Sequence, residues 1–345
     1  MKAAVLIGLG KIETRDISAP RLEKEDDVLL RVEATGLCGS DVHYYREGGI
    51  GDQRVRYPFV VGHECSGIVE KIGPAVARVK IGDRVAVDPA IICGRCDQCL
   101  SGRPNTCRRL LYLGTPGQLP GSLCDYIVMP EKNCYLLGEG MSLDEGALVE
   151  PLTIGLYSFK MIDGFGPEAI AVLGSGPIGL SVVLAARAHG VRKVYSTDKV
   201  EARVEAAIRA GADWSGNPDQ GDVVQEIRGR EPGLLDAVFE CCEDQAALDQ
   251  AVDLLKPGGR LFIIGIPTED RVSFDVHKIR RLEISIHNVR RQRGCIPEAI
   301  GLIESGRTDV RFMATHEFGL EEASAAFDLV GGYRDGVIKA IIRPG

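Results

Sequence analysis

The stretch AIAVLGSGPIGLSVVLAARAHG, residues 169–190, decides the fold. It opens on an unbroken apolar run, 169–174, as a strand buried on both faces of a parallel sheet requires. It continues with apolar residues at helical spacing and closes on Gly190. Between the two stands Gly174-Ser175-Gly176-Pro177-Ile178-Gly179, a G-x-G-x-x-G pattern. Alone the pattern is weak, because glycines are common in turns. Set between a strand and a helix, it is the turn over which a dinucleotide lies. Gly174 makes the turn, Gly176 lets the backbone approach a pyrophosphate, and Gly179 lets helix and strand pack closely. The helix that starts at Pro177 and Ile178 adds the N–H groups that follow the proline, which has none, and positive partial charge.

Asp198 ends the next stretch read as a strand, KVYSTD (193–198), and 198 − 179 = 19 residues separate it from the last glycine. A carboxylate there bonds an adenosine ribose diol and repels a 2′-phosphate, which favours NAD over NADP. Lys199 and Arg203 lie beside it and weaken that preference.

Working outward, EARVEAAIRAGA reads as a helix, LDAVFECC (235–242) and GRLFIIGI (259–266) as strands, and EISIHNV (283–289) as a last strand. QAALDQAVDLLKPGG reads as a helix ending in Pro-Gly-Gly. Strands alternating with helices give a parallel sheet. Residues 1–150 differ: short Val/Ile runs such as DDVLLRVEATG and IGDRVAVDPAII are broken by turn residues, which predicts a mostly-β domain. The tail holds helical stretches, IPEAIGLIESG and LEEASAAFDLV, and a final strand, GVIKAIIR. A chain of 345 residues is more than one core usually serves, so two domains are expected.

The 45% hydrophobic and 26% charged fractions are those of a soluble globular protein. The net charge of −8 argues against a nucleic-acid surface. No apolar run is long enough to span a membrane. The start, MKAAVLIGLGKIETRD, lacks a convincing cleavage site and is read as a first strand. Eleven cysteines, four of them bunched within residues 93–107, fit a reducing, cytoplasmic compartment and a metal better than a disulfide scaffold.

Cys93, Cys96, Cys99 and Cys107 form C-x2-C-x2-C-x7-C. Four thiolates this close can wrap one tetrahedral Zn²⁺ and leave no place for substrate, so the site is read as structural zinc. An iron–sulfur cluster uses the same ligands and ranks below zinc. Other potential ligands are scattered: Cys38 in GLCGSDVHYY, and His63 and Glu64 in GHECSG. Glu150 is the one charge in ALVEPLTIGLY (147–157), where a carboxylate without a partner is costly. Pro151 after it predicts an extended backbone at Glu150.

Together, C-G-S-D-V-H-Y-Y at 38–45, G-H-E at 62–64, the four cysteines, E-P-L at 150–152 and the glycine loop resemble the zinc-dependent medium-chain dehydrogenases, polyol branch. The order of the later elements follows that family to the end of the chain. The resemblance implies an α/β protein: a mostly-β GroES-like catalytic domain plus a doubly wound Rossmann nucleotide-binding domain. The expected boundaries are 1–152, 153–290 and a C-terminal return to the catalytic domain at 291–345. It implies a catalytic zinc on Cys38, His63 and Glu64, with Glu150 ligating directly or through water. It implies a proton relay from Ser40 to His43. It places Tyr44, Arg291 and Gln292 with Glu150 near substrate, Gln292 standing where a tyrosine is usual. Lys199, Arg203, Ile264, Gly265, Ile266, Val289 and Arg290 complete the cofactor's surroundings. The implied activity is hydride transfer from a secondary hydroxyl of a sorbitol-, xylitol- or iditol-type polyol to NAD, giving a ketose. Butanediol, L-threonine and inositol are alternative substrates of this chemistry, and a non-catalytic relative is a third reading. A homo-tetramer or homo-dimer is the implied assembly, without nucleic-acid or membrane partners.

Overall fold

The structure, a computed structural model, describes residues 1–162, 164 and 166–345. The chain divides into two units, one formed by Met1–Glu150 with Ile296–Gly345, the other by Pro151–Cys295.

The second unit is built on six parallel strands in the order Trp214–Gly216, Lys193–Thr197, Ala169–Leu173, Leu235–Glu240, Leu255–Ile263, Ser285–Asn288. Numbered along the chain this is 3-2-1-4-5-6, the doubly wound order, which reverses direction between Ala169–Leu173 and Leu235–Glu240. Every residue of Ala169–Leu173 is buried, which is why its apolar run is unbroken. Helix Pro177–Ala188 follows the glycine turn, with proline at its start, where a missing N–H costs nothing. Sequence patterning overlooks the edge strand Trp214–Gly216 and the polar helices Val223–Arg230 and Val276–Arg281. It also starts one strand late. Leu255 already pairs with Leu235, and a register shift accommodates the glycines that follow. The run 289–295 stays with this unit: Val289 N–H donates to Ile263 O (2.9 Å) and Lys160 Nζ to Gly294 O (3.0 Å).

In the first unit a sheet runs in the order Cys134–Leu136, Arg84–Val87, Glu64–Ile72, Asp27–Gly36, Lys339–Arg343, Ala314–Gly319, and Tyr126–Pro130 also pairs with Asp27–Gly36. The C-terminal strand therefore inserts into a sheet laid down by the first part of the chain. Its core includes Leu6, Leu30, Leu123, Met129, Phe327 and Ile342. Around Gly36 the registers Gly36↔Glu64 and Gly36↔Ile341 set the two flanking strands beside it.

The expectation of extended backbone at Glu150 is wrong. Helix Leu143–Lys160 runs through both Glu150 and Pro151. Proline removes one N–H donor from the ladder. Burial of Ala147, Leu148, Val149, Leu152 and Leu156 along the same helix outweighs that loss.

Candidate active site

The first unit brings Cys38, His63 and Glu64 together: one ligand atom from each lies within 4.8 Å of the others. Cys38 precedes helix Gly39–Arg46, His63 immediately precedes strand Glu64–Ile72, and Glu64 is its first residue. His63 and Glu64 are buried. A thiolate, an imidazole and a carboxylate are a donor set for zinc that leaves a fourth position open. One atom supports the fit. Glu64 Oε2 is buried and accepts no hydrogen bond of acceptable geometry, although Lys339 Nζ lies 2.6 Å away.

Each of these three residues is held from behind by a residue that sequence reading did not single out. Asp41, fully buried, accepts the N–H groups of Cys38 and Gly62, each at 3.1 Å, and its Oδ1 lies 3.5 Å from His63 Nδ1. Such a carboxylate fixes the orientation of a ligating imidazole. Burial works to lower the His63 pKa, but the charges of Asp41 and Cys38 outweigh it and hold it well above the usual value. Lys339, 1% exposed, donates to Glu64 Oε1 (2.9 Å) and to Leu37 O (3.1 Å). Gly36 makes room for this pair, since a Cβ there would stand 2.5 Å from Glu64 Oε2 and 3.4 Å from Lys339 Cδ.

Glu150, 5% exposed, accepts a hydrogen bond from Tyr112 Oη at 2.9 Å. The Tyr112 ring in turn packs on His63, with centroids 5.5 Å apart. Burial pushes the Glu150 carboxyl up to about 7, against the pull of His63. Ser40 and His43 lie on helix Gly39–Arg46, both half-buried, and His43 Nδ1 pairs with Glu47. Tyr44 on the same helix is buried and directs its hydroxyl to Gln53 (3.4 Å).

The sulfurs of Cys93, Cys96, Cys99 and Cys107 also lie within 4.8 Å of one another. Neighbouring Sγ atoms are 3.5–3.8 Å apart, too far for disulfides and suited to one tetrahedral ion. The N–H groups of Cys93 and Arg109 donate to Cys107 Sγ at 3.4 Å, as they would to a ligating thiolate. Arg108 closes the lobe on Asp97 at 2.6 and 2.8 Å.

In the second unit the glycine loop is as tight as its motif requires. Gly174 has φ +93°, and a Cβ on Gly179 would stand 1.7 Å from Gly174 O. Asp198 accepts the N–H of Ser175 (2.7 Å) and of Val200 (2.8 Å), which fixes its carboxylate against the loop. Lys199 is drawn away to Asp244 (3.2 Å). Arg203 is buried, with Nη1 3.5 Å from where a Gly176 Cβ would be. Ile264 and Gly265 follow strand Leu255–Ile263, and both donate N–H groups to Glu240 O. Ile266 is 41% exposed. Val289 and Arg290 follow strand Ser285–Asn288; Arg291 has φ +54°, and Gln292 Oε1 accepts Cys295 N–H at 2.9 Å.

Two family models match the chain, that of alcohol dehydrogenase GroES-like domains over residues 24–139 and that of zinc-binding dehydrogenases over residues 177–305. Sorbitol dehydrogenase of Bacillus subtilis is 34% identical over 346 residues, covering 100% of this chain and 97% of that one. Sorbitol dehydrogenase 1 of Saccharomyces cerevisiae is 35% identical over 348 residues, covering 99% and 97%. The solved structure of an Escherichia coli oxidoreductase/dehydrogenase of unknown specificity superimposes with a TM-score of 0.92 at 33% identity, covering 100% and 99%. The class is thus an α/β oxidoreductase with a GroES-like domain and a doubly wound nucleotide-binding domain. The chain belongs to the zinc-binding dehydrogenase family, as its motifs implied. No helix among the described residues is long and apolar enough to cross a membrane.

Proposed function

We propose that the chain is an NAD-dependent zinc polyol dehydrogenase that oxidises a secondary hydroxyl of a sorbitol-, xylitol- or iditol-type polyol to a ketose. One observation carries this reading: Cys38, His63 and Glu64 lie within ligand distance of one another, with Glu150 held on His63's neighbour Tyr112. The sorbitol dehydrogenases among the relatives support the substrate class.

Cys38, His63 and Glu64 would hold one zinc, and the four-cysteine lobe a second, structural one. The first zinc supplies a Lewis acid that makes a secondary hydroxyl more acidic. Asp41 and Lys339 keep the ligands oriented. Glu150, whose burial works to raise its pKa, can accept a hydrogen bond from a neighbouring polyol hydroxyl. Ser40 and His43 carry the departing proton outward. Gly174, Gly176 and Gly179 seat the pyrophosphate, Asp198 takes the ribose diol, and Tyr44, Arg291 and Gln292 select substrate. The family's homo-tetramer or homo-dimer is part of the same proposal.

Steady-state kinetics with NAD⁺ and NADP⁺ over polyols, butanediol, L-threonine and inositol test it. Turnover of sorbitol, xylitol or iditol with NAD⁺ is expected. Inert polyols with threonine or butanediol turned over would replace the substrate class. Glu150→Gln is expected to lower kcat by about 10²-fold while zinc content stays at two per chain; unchanged kcat would make Glu150 structural. Asp198→Asn keeps the side chain's shape and removes its charge. Like-charge repulsion of several kcal/mol against a 2′-phosphate is then relieved. The NAD⁺/NADP⁺ ratio of kcat/KM should fall by about 100-fold, and an unmoved ratio would remove Asp198 as the selector.

A further inference from the structure

Tyr112 belongs to no motif in the sequence, yet it touches both halves of the candidate centre. Its hydroxyl donates to Glu150 Oε1 at 2.9 Å and its ring packs on His63 at 5.5 Å. Both Tyr112 and Glu150 are at least nine-tenths buried. The set within 4.8 Å consists of Cys38, His63 and Glu64, and Glu150 is not in it.

We propose that Tyr112 is a positioning residue that tethers Glu150 beside the metal ligands and keeps its carboxylate out of the zinc's fourth position. The inference rests on the reading of Cys38, His63 and Glu64 as zinc ligands. A buried carboxylate near a dication is drawn to it unless something else holds it. A hydroxyl-to-carboxylate hydrogen bond is charge-assisted and among the stronger kinds, so it can hold Glu150 back. The ring contact with His63 stops the tyrosine from following the carboxylate inward.

The tether is itself anchored. Strand Leu111–Tyr112 pairs with Ala90–Ile91, with Ala90 opposite Tyr112, and Leu113 N–H donates to Pro89 O at 3.0 Å. These two short strands enter and leave the four-cysteine lobe, whose ligands run from Cys93 to Cys107. Closing the lobe on its ion fixes the ladder that carries Tyr112. The lobe then serves the reaction centre as well as stability: it sets where Glu150 stands.

Tyr112→Phe keeps the ring and removes only the hydroxyl. In the full-length enzyme, zinc at the Cys38 site is measured by chelator competition. Its surroundings are read from the visible spectrum after cobalt exchange. With the tether cut, Glu150 enters the metal's open position. The site should bind zinc about tenfold more tightly, the cobalt spectrum should change, and kcat should fall by about 10- to 100-fold with little change in KM. Adding Glu150→Gln to Tyr112→Phe should return both zinc affinity and spectrum to those of Glu150→Gln alone. Unchanged affinity and spectrum in Tyr112→Phe would overturn the proposal, and so would weaker zinc binding. If the parent enzyme held a single zinc, lost with Cys99→Ser and kept with Cys38→Ser, the underlying zinc reading would fail first.

Discussion

Lys339→Met is expected to destabilise the metal-free protein by about 3–5 kcal/mol, the cost of breaking a buried ion pair by removing one partner. Lys339 and Glu64 are 1% and 0% exposed at the side chain, and Nζ lies 2.6 Å from Oε2. Burial alone would lower the Lys339 pKa, but Glu64, Cys38 and Glu150 together raise it, so the lysine stays charged. Methionine fills the volume of the lysine stem and leaves Glu64 as an uncompensated buried carboxylate. Urea unfolding after chelation measures the loss. Glu64→Gln in the Lys339→Met background should recover much of it, because the stranded charge is then gone. With zinc present the loss should be smaller, since the metal compensates Glu64 in the lysine's place. Gly36→Ala should reproduce part of the effect, as its Cβ would intrude on Glu64 Oε2. A shift below about 0.5 kcal/mol for Lys339→Met, the size of an ordinary surface change, would show that the pair holds nothing.

What the sequence revealed and concealed follows one physical division. Features whose chemistry is local in the chain were legible. The glycine loop is strand, turn and helix within one short run, so its closeness demands show in the spacing itself, as the 1.7 Å clearance at Gly179 explains. The four cysteines lie within one short stretch of chain, and their sulfurs gather within it. Residues that matter through distant pairing were not legible as partners. Lys339 sits in the apolar run GVIKAIIR, just as Glu150 sits in ALVEPLTIGLY. Each is a charge with apolar neighbours on both sides in a buried segment, and the same question applies to both. Only the sheet register around Gly36 shows that the lysine's answer is Glu64. Tyr112 gave no signal, because an aromatic residue near a turn is unremarkable until its hydroxyl's partner is seen.

Helix boundaries show the same limit. Pro151 predicts a break by local rules, yet the helix continues, because burial along Leu143–Lys160 is a tertiary quantity. The polar helices Val223–Arg230 and Val276–Arg281 escaped for the opposite reason. They have little apolar face to display, and Asp222 and Asp275 hold their first turns through N–H bonds. Both caps are aspartates of the sort that serve many loops, so they marked no boundary in the sequence.

The largest functional loss is expected from Cys38→Ser. A serine hydroxyl is neutral and a poor zinc ligand at neutral pH, so the site loses a third of its donors and one of its two negative charges. A Lewis acid is worth several kcal/mol of transition-state stabilisation, and each 1.36 kcal/mol is tenfold in rate. The expected fall in kcat/KM is therefore about 10³-fold or more, with zinc content dropping from two per chain to one. Neighbouring groups cannot fill the gap. His63 and Glu64 already serve as the other two ligands, and Glu150 is held by Tyr112. Cys99→Ser provides the contrast: it should lose the other zinc and much thermal stability. Metal analysis with activity on the same samples separates the two sites. A Cys38→Ser protein that kept both zincs and stayed within tenfold of the parent rate would show that the Cys38 cluster is not where the chemistry occurs.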